Sequence, residues 1–377
     1  MDRPIYLDHN ATTSLAPGVL EVMTRYLTAD YGNPSSAHVY GDAPRQAITT
    51  ARAHIAALLG AAPPEIVFTG CGSESNTLAL AGVTAGRNGQ VITQATEHPA
   101  VLQTCQALTG QGIRVTVLPV DSYGLVDPAE LKAALTPDTL LVSVMHANNE
   151  TGTIQPITEL ATLAHDAGAL FHTDAAQTVG KIPFTVDELD VDLLTVAGHK
   201  FGGPKGVGAL YIRNGVTVRP VIHGGGQEHG MRSGTENVAG IAGLGAAAEH
   251  VGQTIAERQA RFTALRDELH RLLVADLGDR VLLNGHPQRR LPNTLNVSIT
   301  ETVGTDLLAA LPQLAASTGS ACHDGSISSP VLAAMGLDAD RVAGAIRLSL
   351  GRSTSEADIR LAADMLATAV RTVPNGS

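Results

Sequence analysis

The sequence predicts an α/β protein: a mostly parallel sheet covered by helices on both faces, followed by a smaller α/β unit. Three observations predict this. From about residue 45 to 215, short apolar runs alternate with segments of helical period. The runs are predominantly apolar, as strands buried on both faces require. At 377 residues the chain also exceeds one typical domain, so two are expected.

The expected strands of the first unit are EIVFTG (65–70), QVITQA (90–95), RVTVLPV (114–120), TLLVSVMHA (139–147), ALFHTD (169–174), LLTVAG (193–198) and GALYIR (208–213). Helices are expected between them at 44–60, 73–86, 98–110, 128–135 and 156–168. In such folds ligands gather at the carboxyl edge of the strands. An Ala-rich, charge-patterned segment at 236–275 predicts one or two helices leading out of this unit. Then follow a strand (TLNVSIT, 294–300), a helix (305–314), a Gly/Ser loop (317–329), a helix (330–336), a strand (AIRLSLG, 345–351) and a last helix (355–372). The chain has no low-complexity region and no internal repeat.

The net charge of -11 gives no electrostatic reason to approach nucleic acid or an anionic membrane, and a protein partner with a basic patch suits it better. No apolar run reaches the ~18 residues of a membrane span, and MDRPIYLDHNATT lacks a basic n-region and an apolar h-region, so a cytoplasmic location is expected. Cys71, Cys105 and Cys322 are an odd number without CxxC spacing. That argues against a disulfide framework and a structural zinc site.

Chemistry concentrates in a few segments. TVAGHKFGGPKGVGALYI sets Lys200 straight after an apolar strand, and a desolvated lysine forms Schiff bases with carbonyl compounds. ALFHTDAAQTVGK ends a strand on Asp174, with Gln177 one turn on. A carboxylate there suits the protonated pyridine nitrogen of pyridoxal phosphate, although a strand-terminal Asp also serves as a helix N-cap. TGCGSESNTLAL places Gly70, Gly72 and Ser73 before a helix, a pattern that binds phosphate or simply caps.

Together these segments resemble the cysteine desulfurases of the pyridoxal-phosphate-dependent class V aminotransferase family. The likeness runs nearly end to end, through YLDHNATT, YGNPSSAH, TGCGSESN, TEHPAV, MHANNETG, HTDAAQTVGK, AGHKFGGPKGVGALYI, HGGGQEHGMRSGTEN, LPNTLNVS, STGSACH and IRLSLGRST. It implies the type I fold of PLP-dependent transferases with a seven-stranded sheet. It also implies a large cofactor-binding domain over 15–260 and a small domain from 1–14 plus 261–377 that carries the active-site cysteine loop.

The resemblance assigns Lys200 as the Schiff-base lysine, Asp174 as the pyridinium partner, and Gln177 and Asn149 as donors to the ring's phenolic oxygen. His98 is implied to stack on the ring and relay protons. Gly72, Ser73 and His199 are implied to hold the phosphate, with Thr235 reaching across from the second subunit of a homodimer. Arg347 is implied to clamp the substrate carboxylate, a task that suits a bidentate guanidinium, and Asn33 to add a contact. One departure stands out: Ala197 occupies a position where the family often has serine, which removes a hydroxyl from the phosphate end.

The implied activity converts L-cysteine to L-alanine, with pyridoxal 5'-phosphate as cofactor and the sulfur taken by Cys322 as a persulfide for an acceptor protein. Small neighbours around Cys322 permit exposure, His323 favours the thiolate and Asp324 opposes it. Seven residues, many of them Ser or Gly, separate Cys322 from Pro330, resembling the longer active-site loop of one desulfurase group. Selenocysteine lyase is the nearest alternative reading. A simple transaminase leaves Cys322 without a task, and a catalytically silent scaffold leaves the whole residue set without one.

Overall fold

The computed structural model describes residues 3–318 and 329–372. After a two-residue strand β1 (Ile5–Tyr6) come helices α1 (Val19–Thr28) and α2 (Val39–Leu59). The central sheet then uses β2 (Ile66–Thr69), β3 (Gln90–Gln94), β4 (Arg114–Leu118), β5 (Thr139–Ser143), β6 (Leu170–Asp174), β7 (Leu193–Ala197) and β8 (Gly208–Ile212). These are the seven strands expected from the apolar runs. Helices α3 (Gly72–Thr84), α4 (Pro99–Thr109), α5 (Pro128–Ala134), α6 (Ile157–Asp166) and the single turn α7 (Val186–Leu189) lie between them.

The strand order is β2-β8-β7-β6-β5-β3-β4, parallel except for β8, which runs antiparallel to both neighbours. The exception has a simple cause. Parallel pairing needs a crossover of roughly a dozen residues or more, and the link from Ala197 to Gly208 is too short for one. β2, β3 and β5 to β8 are buried along their length, while the edge strand β4 is partly exposed.

The segment expected to hold one or two helices is one continuous helix, α8 (Val238–Leu277), about 60 Å long at 1.5 Å per residue. Its two halves serve different cores. Ile241, Leu244, Ala247, Ala248 and Val251 pack into the core of the large sheet. Leu265, Leu269, Leu273 and Leu277 pack with the second core. Small residues in the first half permit close approach to α2: a Cβ on Gly245 would stand 2.5 Å from Ala51 Cα.

The second core is built on β9 (Val281–Leu283), β10 (Thr294–Ile299), the helix α9 (Gly304–Ala309), β11 (Leu314–Ala315), β12 (Ala345–Ser349) and α12 (Glu356–Thr372), while α10 (Pro330–Ala334) and α11 (Ala339–Ala343) share a smaller cluster of their own through Val331, Leu332 and Val342. β10 is central, antiparallel to both β9 and β12. The chain's first strand returns here, since β1 pairs in parallel with β11 and Asp8 bridges to Ser349. β1, β9 and β11 have two or three residues each, too few to show any period in sequence.

Candidate active site

The polar residues converge at the carboxyl ends of β6 and β7, as expected for an open parallel sheet. β7 ends at Ala197 and runs into a tight turn, Gly198–Lys200, that projects Lys200 from the sheet edge. Its amine donates to the carbonyls of Asn10 (2.7 Å) and Ala11 (3.0 Å) and, among the described residues, meets no carboxylate directly. Burial, then the positive charge of Arg347, lowers its pKa to about 8, against the opposing pull of Asp174 and Asp8. An amine so placed sheds its proton near neutrality, which a nucleophilic lysine requires.

Asp174 closes β6, one strand over. Its Oδ2 accepts from Asn76 Nδ2 (2.7 Å) and its Oδ1 from the Ala176 amide (2.9 Å), so a local cap and a held carboxylate coexist. Gln177 Nε2 donates to the Asn10 carbonyl (3.0 Å). Gln177 Oε1 accepts from Lys181 Nζ (2.7 Å), which also donates to Asn10 Oδ1 (2.8 Å). Lys181 is 3% exposed, and this pair of bonds fixes which end of the Gln177 amide is the oxygen. Asn10 Nδ2 in turn donates to the Asn149 carbonyl (3.1 Å), tying three of the expected residues into one network.

Asn10, Asn76 and Lys181 carried no expected role. Asn10 and Lys181 lie within YLDHNATT and HTDAAQTVGK, and the four-residue spacing from Gln177 to Lys181 was the available signal, since the successive turns after β6 bring the two together.

His98 caps α4, and its Nδ1 accepts the Ala100 amide (3.1 Å), which leaves the proton of the neutral ring on Nε2. Burial, helped by Lys200 and opposed by Asp174, lowers its pKa. Beside it Glu97 is buried, accepting at Oε1 from the Met145 amide and from Gln94, while its Oε2 has no partner. Burial pushes Glu97 up to about 8 from an ordinary 4.5, with Asp174 adding to the rise.

A carboxyl raised in the folded state leaves stability intact below pH 4.5 and erodes it as pH climbs through about 8. Glu97→Gln is therefore expected to raise Tm, with a gain over wild type that grows between those two values. A scan of Tm against pH checks it; a gain independent of pH would contradict the buried neutral carboxyl.

At the other end of the site, Gly72 and Ser73 open α3. A Cβ on Gly72 would come within 3.1 Å of Ala197 Cβ, so the glycine leaves a backbone cradle beside the end of β7. His199 Nδ1 lies 3.2 Å from Thr12 Oγ1, and burial with Lys200, Lys205 and Lys181 nearby lowers its pKa to about 4. It is a neutral ring at physiological pH.

Arg347 sits on β12, 4% exposed, opposite Asn296 of β10. Its Nη2 pairs with Asp8 (2.6 Å), its Nη1 donates to the Asn149 carbonyl (3.1 Å), and its Nε is buried without a partner. Ser317 pairs with the Arg347 backbone, and Ser329 donates to the Glu150 carboxylate. Ser317 and Ser329, described residues on either side of positions 319–328, thus stand beside Arg347 and Glu150. Cys322, His323 and Asp324 lie outside the described residues. Asn33 is exposed and accepts from the Ser35 amide (2.9 Å) in a local turn, and Thr235 is exposed in the loop before α8. Neither joins the other residues within this chain.

The class-V aminotransferase model matches residues 5–361. The chain belongs to the class-V aminotransferase family. Among its relatives, "Cysteine desulfurase IscS" of Dictyoglomus turgidum is 47% identical over 97% of this chain and 94% of its own length. A solved "NIFS-LIKE PROTEIN" superposes with a TM-score of 0.92 at 39% identity, covering 98% of this chain and 100% of that one. A structure titled "SspA in complex with cysteine" gives a TM-score of 0.81 at 37% identity over 92% and 98%.

Class-V aminotransferases use pyridoxal 5'-phosphate, and the residues here fit it. The class-V site supplies an amine with a depressed pKa, a held carboxylate on the next strand and a backbone cradle at a helix start.

Proposed function

We propose that this chain is a pyridoxal 5'-phosphate-dependent cysteine desulfurase that converts L-cysteine to L-alanine and carries the sulfur as a persulfide on Cys322. The observation that carries it is the conjunction of Lys200 and Asp174 at adjacent strand ends with Arg347 beside the anchors of the cysteine-bearing segment. When bound, the cofactor supplies an electron sink that acidifies the Cα proton of the amino acid and permits loss of its sulfur.

Lys200 holds the cofactor and removes the Cα proton. Asp174 keeps the ring nitrogen protonated, with Asn76 and the Ala176 amide holding the carboxylate. Gln177, oriented by Lys181, and Asn149 would help hold the cofactor. His98 would lie against it and offer its Nε2 for proton transfer. Gly72, Ser73 and His199 hold the phosphate, with Thr235 of a second subunit completing it in a homodimer.

Arg347 takes the substrate carboxylate, for which its unpartnered Nε is ready, and Asn33 adds a contact. The Cys322 thiolate attacks the substrate sulfur; the S–Cβ bond breaks, the thiolate sulfur gains a bond to sulfur, and the carbon skeleton leaves as alanine after protonation. Cys322 follows Thr318 by four positions, a reach of at most about 14 Å along an extended chain.

Assay of alanine release from L-cysteine together with persulfide labelling tests the proposal. Alanine without a protein-bound persulfide would overturn the sulfur-carrier part. The relatives are named for cysteine, and nothing on this chain favours selenocysteine. A sulfur-acceptor protein and a cytoplasmic location belong to the same reading; among the described residues no helix is long and apolar enough to cross a membrane.

Two outcomes follow from the cofactor end. Ala197→Ser is expected to restore a hydroxyl beside Gly72 and tighten cofactor binding about tenfold, the value of one hydrogen bond to a charged group. Equilibrium dialysis of the cofactor measures it. Reconstitution of the apoenzyme needs the neutral amine of Lys200, so its rate is expected to rise about tenfold per pH unit below 8 and level above it. Stopped-flow measurement of the visible band checks the break point.

A further inference from the structure

A second cavity touches Lys200 but not Asp174, His98 or the start of α3. Its interior of about 20 Å³ admits one or two water-sized occupants, and it is bordered by His9, Lys181, Lys200, Arg258, Arg352 and Asn293. Among the described residues no carboxylate lines it. Among those same residues, neither lysine nor either of these arginines forms an ion pair with an acid elsewhere.

Two of the polar side chains around it lack partners among the described residues. His9 is 3% exposed, and both its ring nitrogens are buried without a hydrogen bond. The Nε of Arg258 is likewise unpartnered. Like charges act on one another here: burial, Lys181 and Arg352 depress His9, while Arg258 is depressed by burial, Arg352 and Arg261. Of these cations Lys181 is buried, Arg258 partly so and Arg352 exposed, and a single negative charge in the cavity would offset part of the positive charge they bring together.

We infer that this cavity binds one small inorganic anion of chloride size, held by Lys181, Arg258, Arg352 and His9 next to Lys200. Room for one or two water-sized occupants suits a monatomic anion, and water would satisfy hydrogen bonds without offsetting the charge. The bound anion favours the protonated amine of Lys200 and so connects halide concentration to the state of the cofactor-bearing lysine.

Crystals of the holoenzyme grown in bromide are expected to show an anomalous peak in the cavity, in contact with Lys181 and Arg258. At constant ionic strength, replacing gluconate by chloride is expected to raise Tm in a saturating manner. Arg258→Met and Arg352→Met should each weaken the apparent chloride affinity at least about tenfold, the loss of one charge-assisted contact. Neutral water in the cavity with no anomalous signal would overturn the inference, as would equal chloride responses from wild type and both variants. These readouts need no turnover, so they stand or fall separately from the desulfurase reading.

Discussion

Replacing Cys322 with alanine is expected to abolish persulfide formation and to cut alanine release from L-cysteine at least about a hundredfold, while the cofactor's visible band and its response to added L-cysteine persist. The separation matters, because the residues proposed to hold cofactor and substrate lie on β6, in the turn after β7 and on β12, not on the cysteine segment. Thiol labelling after a single turnover identifies the carrier.

The other two cysteines make poor substitutes. Cys105 is buried, and burial followed by the Glu97 charge pushes its thiol up to about 12. Cys71 is exposed at the start of α3, so Cys71→Ala is the proper control and is expected to retain turnover. Full activity in Cys322→Ala would sink the nucleophile assignment.

Lys200→Ala is expected to lose the covalent link to the cofactor, visible as loss of the band characteristic of the lysine-bound form, and to lower kcat by about 10²- to 10⁴-fold. The fold should survive, because the amine's partners are two backbone carbonyls at the protein's N-terminal segment and no core contact depends on it. Lys200→Arg keeps the positive charge yet cannot form a Schiff base, so it should be as inactive as the alanine variant. Wild-type-like activity in either variant, with cofactor bound, would remove Lys200 from the reaction.

Much of the fold was legible because a sheet buried on both faces writes itself as apolar runs. The seven strands of the large sheet were all found this way, and so were Lys200 and Asp174 at strand ends. The short elements were not: β1, β9 and β11 exist because a neighbour offers hydrogen bonds, and they leave no periodic trace. Asn33 shows how a local explanation competes with a functional one, since its side chain is occupied by its own turn. Lys181 shows the opposite case. Nothing in its sequence context singled it out, whereas the structure buries it against Gln177 and Asn10.

By itself the sequence determined the class of fold and the family and nominated the candidate reacting groups, because residue type and spacing carry that chemistry directly. Tertiary structure alone decided how those groups are tuned. Asp8, from the first strand's end, meets Arg347, 339 residues away, and Asn10 gathers Lys200, Gln177, Lys181 and Asn293 around one side chain and its backbone. The pKa of Lys200 and the unsatisfied ring of His9 follow from those long-range meetings. Desolvation and Coulomb interaction depend on distance in space, and distance along the chain does not report it.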